Sequence, residues 1–209
     1  MNKHFLAQTG RVVAGMLLMM GVAAAAEPEH AKNDASAHHF LTEAAQGGLA
    51  EVNLGQMAAD KSTNEAVKEF GRRMVRDHGK ANEELKGLST TAGVPLATEI
   101  STEAKELQQR LSGLSGVEFD RAYMEEMVKD HQKDIAMFET QAEHGQNAQV
   151  KEWAKKTLPT LKEHLNLAQS TAKKVSARNT TDQDASGGMS AAVDDSLGHT
   201  EKGTTGQDR

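Results

Sequence analysis

The chain has 209 residues, with 24 Lys and Arg, 30 Asp and Glu, three Pro, no Cys and 3% aromatic residues. So few aromatic residues and prolines argue against a β-sheet fold, and the abundant Ala, Leu, Glu, Lys and Gln favour helices. The absence of Cys excludes disulfides, a thiolate nucleophile, iron–sulfur clusters and thiolate zinc sites. A net charge of −6 without a basic stripe argues against binding to nucleic acid.

The first 26 residues have the features of a secretory signal peptide. Lys3 and Arg11 supply positive charge, an apolar run begins at residue 12, and three alanines at 24–26 offer a cleavage site. Even if it is extended to residue 26, the apolar run covers fifteen residues, whereas a bilayer-spanning helix needs roughly 20. We therefore expect a periplasmic or envelope-associated protein with no membrane span after cleavage; an uncleaved anchor is the less favoured alternative.

The remaining chain divides into three segments by composition. Residues 27–37 form a short polar linker, and residues 38–176 have the size of one folded domain. Residues 177–209 are rich in Ser, Thr, Gly and Asp. Because such a segment cannot bury enough apolar surface to offset its ordering entropy, we predict a disordered polar tail there.

Periodic apolar residues predict four long helices in the folded unit. Residues 67–88 and 150–175 place apolar side chains alternately four and three apart, which keeps one helix face inward, and residues 124–142 give a third amphipathic helix. The first helix, predicted over residues 40–60, has a narrow stripe of small residues that includes three glycines. Each glycine costs the helix up to about 1 kcal/mol, so the stripe predicts that a partner helix approaches closely there.

An internal repeat indicates how the helices are paired. Residues 67–73 match residues 150–156, so each half of the unit is predicted to be a helical hairpin. The connection over residues 89–116 is too long for a tight turn, and it contains a predicted short helix over residues 103–111. Two hairpins joined by a long crossover define an all-α, ferritin-like four-helix bundle.

Several short motifs are similar to those of one bacterial family. They are Met-Val-Arg-Asp-His at 74–78, Met-Val-Lys-Asp-His at 127–131, Phe119-Asp120 followed by Tyr123, and Leu158-Pro159 followed by His164-Leu165. The sequence resembles the exported, ferritin-like "domain of unknown function 4142" family, often described as outer-membrane or periplasmic proteins. The resemblance spans residues 40–172 and implies a ferritin-like bundle in the cell envelope. It implies no reaction, and therefore no catalytic residue.

Four polar residues occupy positions that should face the bundle core. His78, His131 and His164 lie on three different helices, and Glu51 lies in the inward stripe of the fourth. At about 1.5 Å per residue, all four fall in one central zone of the bundle. Imidazoles with a carboxylate suit iron, zinc, manganese or copper, and bundle cores are where such sites are built. The sequence therefore predicts a metal site with these four residues as ligands.

Two methionines are additional candidate ligands. Met74 and Met127 each precede a core histidine by one helical turn, on the same face. Thioether and imidazole together, without Cys, would favour copper. The structural alternative is that both methionines only fill the core.

The residues directly before the three histidines are all acidic, namely Asp77, Asp130 and Glu163. On a helix they point about 100° away from the histidines, so we expect them to orient the ligands or to lie on the surface. The Glu-x-x-His motif of di-iron proteins is missing at His78 and His164, which argues against an oxygen-activating di-iron oxidase.

The leading functional hypothesis is an exported bundle that binds a transition metal, for metal handling or for protection of the envelope against stress, without enzymatic turnover. One alternative is a metal-free envelope bundle that acts through protein partners and whose core histidines are hydrogen-bonded or pH-sensitive. Another is a metalloenzyme that removes peroxide or oxidises a metal.

Overall fold

A computed structural model describes residues 29–190, with side chains described for residues 35–177. All regular structure in this part of the chain is helical: α1 (Glu29–Lys61), α2 (Glu65–Ala92), α3 (Thr102–Ser112), α4 (Gly116–His144) and α5 (Ala148–Ser190). None of these helices combines the length and apolarity needed to cross a membrane. The predicted signal peptide and residues 191–209 lie outside the described residues.

The helices form two hairpins that pack into a four-helix bundle. Helix α1 contacts α2 and α4, and α5 contacts α4 and α2. The Ser62 hydroxyl, in the α1–α2 turn, donates a hydrogen bond of 2.5 Å to Asp120 near the start of α4. At the opposite end, Phe40 of α1 packs against Phe138 of α4 and Trp153 of α5. Helices α2 and α4 therefore run parallel, the crossover with α3 spans the bundle, and the predicted ferritin-like fold is confirmed.

Local sequence explains where the crossover begins and where its helix starts. Helix α2 ends at Gly93, whose φ of 67° is a left-handed conformation that glycine adopts without a steric cost. Its backbone N–H bonds to the carbonyls of the last helical turn. Ser101 caps α3 by accepting a hydrogen bond from the backbone N–H of Ala104.

The small-residue stripe of α1 packs closely against α2. A Cβ atom added to Gly55 would lie 2.8 Å from the carbonyl oxygen of Gly71, and one added to Gly48 would collide with the Asn82 side chain. The predicted close approach is therefore present at these two glycines. It does not extend to Gly47, where an added Cβ would meet no atom within 4 Å.

Two helices are longer than the apolar pattern predicts. Helix α1 begins at Glu29, inside the segment predicted as a polar linker, rather than at residue 40. Ala37 lies in this extension and is only 4% exposed. Helix α5 continues to Ser190, beyond the predicted end of the domain at residue 176. The predicted bounds differ because they followed apolar periodicity, whereas adding residues to an existing helix is cheap even for polar sequences.

The core consists of two apolar clusters. One lies beside the α4–α5 turn and includes Phe40, Leu41, Leu85, Phe138 and Trp153. The other lies beside the α1–α2 turn and includes Leu54, Phe70, Met74, Tyr123 and Met127. On each of the four long helices, one buried polar residue separates the residues of one cluster from those of the other: Glu51, His78, His131 and His164. The core is therefore interrupted by a single polar layer, to which every helix of the bundle contributes one residue.

Candidate metal centre

The structure brings three of the four predicted ligands together. His78, His131 and His164 each offer one potential ligand atom, and these atoms all lie within 4.8 Å of one another. The ring centroids are 5.3 to 5.8 Å apart. All three rings are buried, and His131 is fully so. Side chains from α2, α4 and α5 thus surround one interior point, a geometry in which a single ion can contact all three.

Glu51 lies beside this histidine cluster. Its Oε1 is 3.6 Å from Nδ1 of His131, its side chain is buried, and its Oε2 has no hydrogen-bond partner among the described residues. Burial raises the pKa of Glu51 well above its ordinary value, and the negative charges of Asp134 and Asp130 raise it further. The carboxylate would therefore be favoured by a positive charge placed nearby.

In two of the histidines, a hydrogen bond fixes the proton on one ring nitrogen and leaves the other nitrogen without a proton. Nδ1–H of His131 donates to the Met127 carbonyl at 2.8 Å, and Nε2–H of His164 donates to Asp77 at 2.8 Å. Nε2 of His131 and Nδ1 of His164 then carry lone pairs. These two nitrogens and Nε2 of His78 are buried, with no hydrogen-bond partner in the described part of the protein. Because buried polar atoms are normally partnered, three orphaned nitrogens in one layer need an explanation.

The histidines are held in the neutral form that binds metals. Burial, together with the neighbouring His131 and His164, lowers the pKa of His78 to about 3. Burial likewise lowers the pKa of His131 to about 4, despite the opposing hydrogen bond to Met127. Near neutral pH no proton has to leave these two rings before a metal ion binds.

Asp77 orients His164. Besides accepting the His164 hydrogen bond, Asp77 accepts one of 3.1 Å from Nε of Arg73, and the same guanidinium pairs with Glu163 at 2.8 Å. Burial raises the pKa of Asp77, but the hydrogen bonds from His164 and Arg73 outweigh it and leave that pKa lowered. Metal-binding histidines commonly donate their second N–H to a carboxylate in this way. Of the three acids that precede the histidines, Asp77 has this orienting contact, whereas Glu163 is an exposed partner of Arg73.

The two candidate methionines belong to the apolar cluster beside the α1–α2 turn, where both are fully buried. Met127 contributes its backbone carbonyl to the centre through the hydrogen bond from His131. Coordination by the sulfur atoms of Met74 and Met127 stays a prediction.

The contact of Arg73 with Asp77 is not among the features predicted from the sequence. The signal was present, since an arginine four residues before an aspartate on a helix is well placed to pair with it. The contact of Asp77 with His164 of α5 depends on side-chain rotamers and on which helix lies next to α2, and the heptad pattern gives neither.

Comparison with known proteins places this chain in a family and supports its fold. The model of the family "Domain of unknown function (DUF4142)" matches residues 22–171. A DUF305 fragment from Deinococcus radiodurans is 15% identical with a TM-score of 0.58, and the match covers 66% of this chain and 96% of that one. A DUF305 protein from Streptomyces coelicolor is 14% identical with a TM-score of 0.56, and the match covers 69% of this chain and 92% of that one. No curated protein matches the chain. The chain belongs to the DUF4142 family.

Proposed function

We propose that this protein binds one transition-metal ion in its bundle core, through His78, His131 and His164, and serves metal handling or stress protection in the cell envelope. The observation that carries the proposal is the set of three buried ring nitrogens, one on each histidine, that have no hydrogen-bond partner among the described residues. The envelope location rests on the signal-peptide pattern of residues 1–26.

The orphaned nitrogens favour this proposal over a metal-free bundle. If the histidines were ordinary core residues, their ring nitrogens would be expected to find partners. A buried polar group left unpaired costs about 1–3 kcal/mol, so three in one layer would be a considerable burden on a marginally stable domain. A coordinated cation satisfies all three at once.

The donor set indicates the class of metal. Imidazole nitrogens suit zinc, iron, manganese and copper, whereas magnesium and calcium prefer oxygen ligands. Three histidines leave at least one coordination position, and Glu51 is a candidate for it because its carboxylate lies beside the cluster, 3.6 Å from Nδ1 of His131. In this proposal Glu51 fills that position, which favours metal storage or transfer over turnover.

Elemental analysis of the protein purified from its native compartment tests the proposal. We expect about one transition-metal ion per chain in the wild-type protein and none in the His78→Ala/His131→Ala variant. The exposed His144 provides a control, because His144→Ala should retain the metal. Metal-free wild-type protein that takes up none of iron, zinc, manganese or copper would overturn the proposal.

A further inference from the structure

A cleft with a volume of about 830 Å³ opens between α1, α3 and α4. Seven carboxylates line it, against two basic residues, Arg110 and Lys133. Clefts lined by one sign of charge concentrate ions of the opposite sign. The cleft therefore attracts cations, although an acidic surface alone does not define a site.

The acidic residues that α4 contributes to the cleft differ in their pairing. Glu126 is paired with Arg110 at 3.2 Å and with Lys129 at 3.0 Å. Asp130 and Asp134 lie one helical turn apart and make no hydrogen bond or ion pair with any described residue. Lys133 also lines the cleft, and its side chain is exposed. Burial and the charge of Asp130 raise the pKa of Asp134 to about 7. Two partly buried carboxylates thus face the cleft without a hydrogen bond or ion pair to a described side chain.

A third carboxylate connects the cleft to the histidine cluster. Glu51 lines the cleft, is only 3% exposed, and its Oε2 has no hydrogen-bond partner among the described residues. Its other oxygen lies 3.6 Å from His131. A buried, unpartnered carboxylate with the cleft on one side and the candidate metal centre on the other is what separates this cleft from an ordinary acidic surface.

We propose that the cleft is the cation entrance of the protein, in which a divalent cation is attracted by the carboxylates of Asp130, Asp134 and Glu51 before it moves to the three histidines. This inference rests on the proposed function. Carboxylate oxygens bind divalent ions more weakly than imidazoles bind transition metals. The carboxylates of the cleft therefore attract the ion, and the histidines retain it. The Asp130 and Asp134 carboxylates act on the rate of loading, and the histidines determine the final affinity.

Loading of the metal-free full chain with Co²⁺, followed by stopped-flow absorption, tests the entrance. The test variant is Asp130→Asn/Asp134→Asn, measured together with the two single variants. The control is Glu118→Gln/Glu125→Gln, which removes the same number of charges from exposed positions of α4 outside the cleft. We expect the test variant to load at least about tenfold more slowly and with a weaker dependence on salt, and the control to load within about twofold of wild type. The number of bound ions and the final cobalt spectrum should be the same in all variants.

Each other outcome contradicts the inference in a distinguishable way. Loading of the test variant at the wild-type rate would overturn the entrance and leave the metal centre intact. A test variant that binds fewer ions at saturation would also overturn it, because the aspartates would then belong to the centre. Failure of the wild-type protein to bind cobalt would overturn the proposed function itself, and the entrance with it.

Discussion

A chain of contacts fixes the ring of His164 in one tautomer. Arg73 holds Asp77, and Asp77 accepts the hydrogen bond from Nε2–H of His164, so that Nδ1 keeps its lone pair. Asp77 is partly exposed, whereas His164 is 1% exposed. The partly exposed Asp77 carboxylate thus determines which nitrogen of the buried His164 ring is free to bind a ligand.

Removing Asp77 should weaken metal binding without unfolding the protein. We expect Asp77→Ala to reduce metal affinity by roughly 10- to 100-fold, because the ring of His164 loses its orientation and tautomer preference. Competition with a chromophoric chelator measures the affinity. Glu163→Ala is the matched control, since Glu163 contacts Arg73 but not the ring. Equal losses in the two variants would show that the Asp77 contact has no special role.

The depressed pKa of His78 predicts a pH dependence of stability in the metal-free protein. The pKa is about 3 in the fold and about 6.5 in the unfolded chain. The contribution of the neutral ring is complete above pH 6.5 and is lost as the pH falls through 6.5 towards 3. Relative to His78→Leu, the wild-type free energy of unfolding should fall by about 2 kcal/mol between pH 7 and pH 5.

Urea unfolding at the two pH values measures this difference. Comparison with the variant removes the opposite contribution of Glu51 and Asp134, whose pKa values burial raises. His144→Leu, at an exposed position of α4, is the control. A pH dependence that is the same in the His78→Leu and His144→Leu variants would contradict the prediction.

Heptad spacing, together with the rise per residue of a helix, was sufficient to predict that His78, His131 and His164 lie in one central zone of the core. It could not predict which ring nitrogen is free, because that depends on rotamers and on partners from other helices. It also could not show that Glu51 lies at the edge of the histidine cluster, between the cluster and a cleft.

At the scale of helices, the contact between α1 and α2 depends on facing glycines. A Cβ atom added to Gly71 would lie 2.5 Å from the carbonyl oxygen of Gly55. Both glycines lie in helical backbone, which has little room to move. The separation of the helices also sets where Glu51 and His78 lie relative to each other, because they lie on these two helices.

Gly71→Ala should therefore destabilise the protein, by about 1–3 kcal/mol, as overpacked cores do. Gly79→Ala is the matched control on the same helix, because an added Cβ meets no atom within 4 Å there. That control should be neutral or stabilising by up to about 1 kcal/mol through higher helix propensity. Denaturant unfolding of both variants provides the measurement, and similar free energies would contradict the packing described here.

The helices themselves were predicted better than their ends. Apolar periodicity identified the four long helices because each buries a continuous stripe. It could not locate the start of α1 at Glu29 or the end of α5 at Ser190, since polar extensions carry no periodic apolar signal.

At the scale of the whole molecule, the polar layer divides the core into two apolar clusters. Histidines from three helices meet in this layer, and Glu51 from the fourth helix lies beside them. A metal ion bound there would link helices from both hairpins. It would bind the folded bundle and not the unfolded chain, because the ligands are far apart in sequence.

Metal should therefore stabilise the whole bundle by mass action. With free metal in excess, each tenfold increase in its concentration should add about 1.4 kcal/mol to the free energy of unfolding. Calorimetry across a series of buffered metal concentrations measures this slope. The His78→Ala/His131→Ala variant should show no such slope, and a slope equal to that of wild type would indicate binding elsewhere.

The most direct test of the central claim is anomalous diffraction from a crystal of the zinc-loaded full chain. We predict a single strong anomalous peak in the polar layer, with His78, His131 and His164 nitrogens at about 2.0–2.1 Å. A peak at another place, or intact protein whose three histidines surround no ion under saturating zinc, would contradict the account.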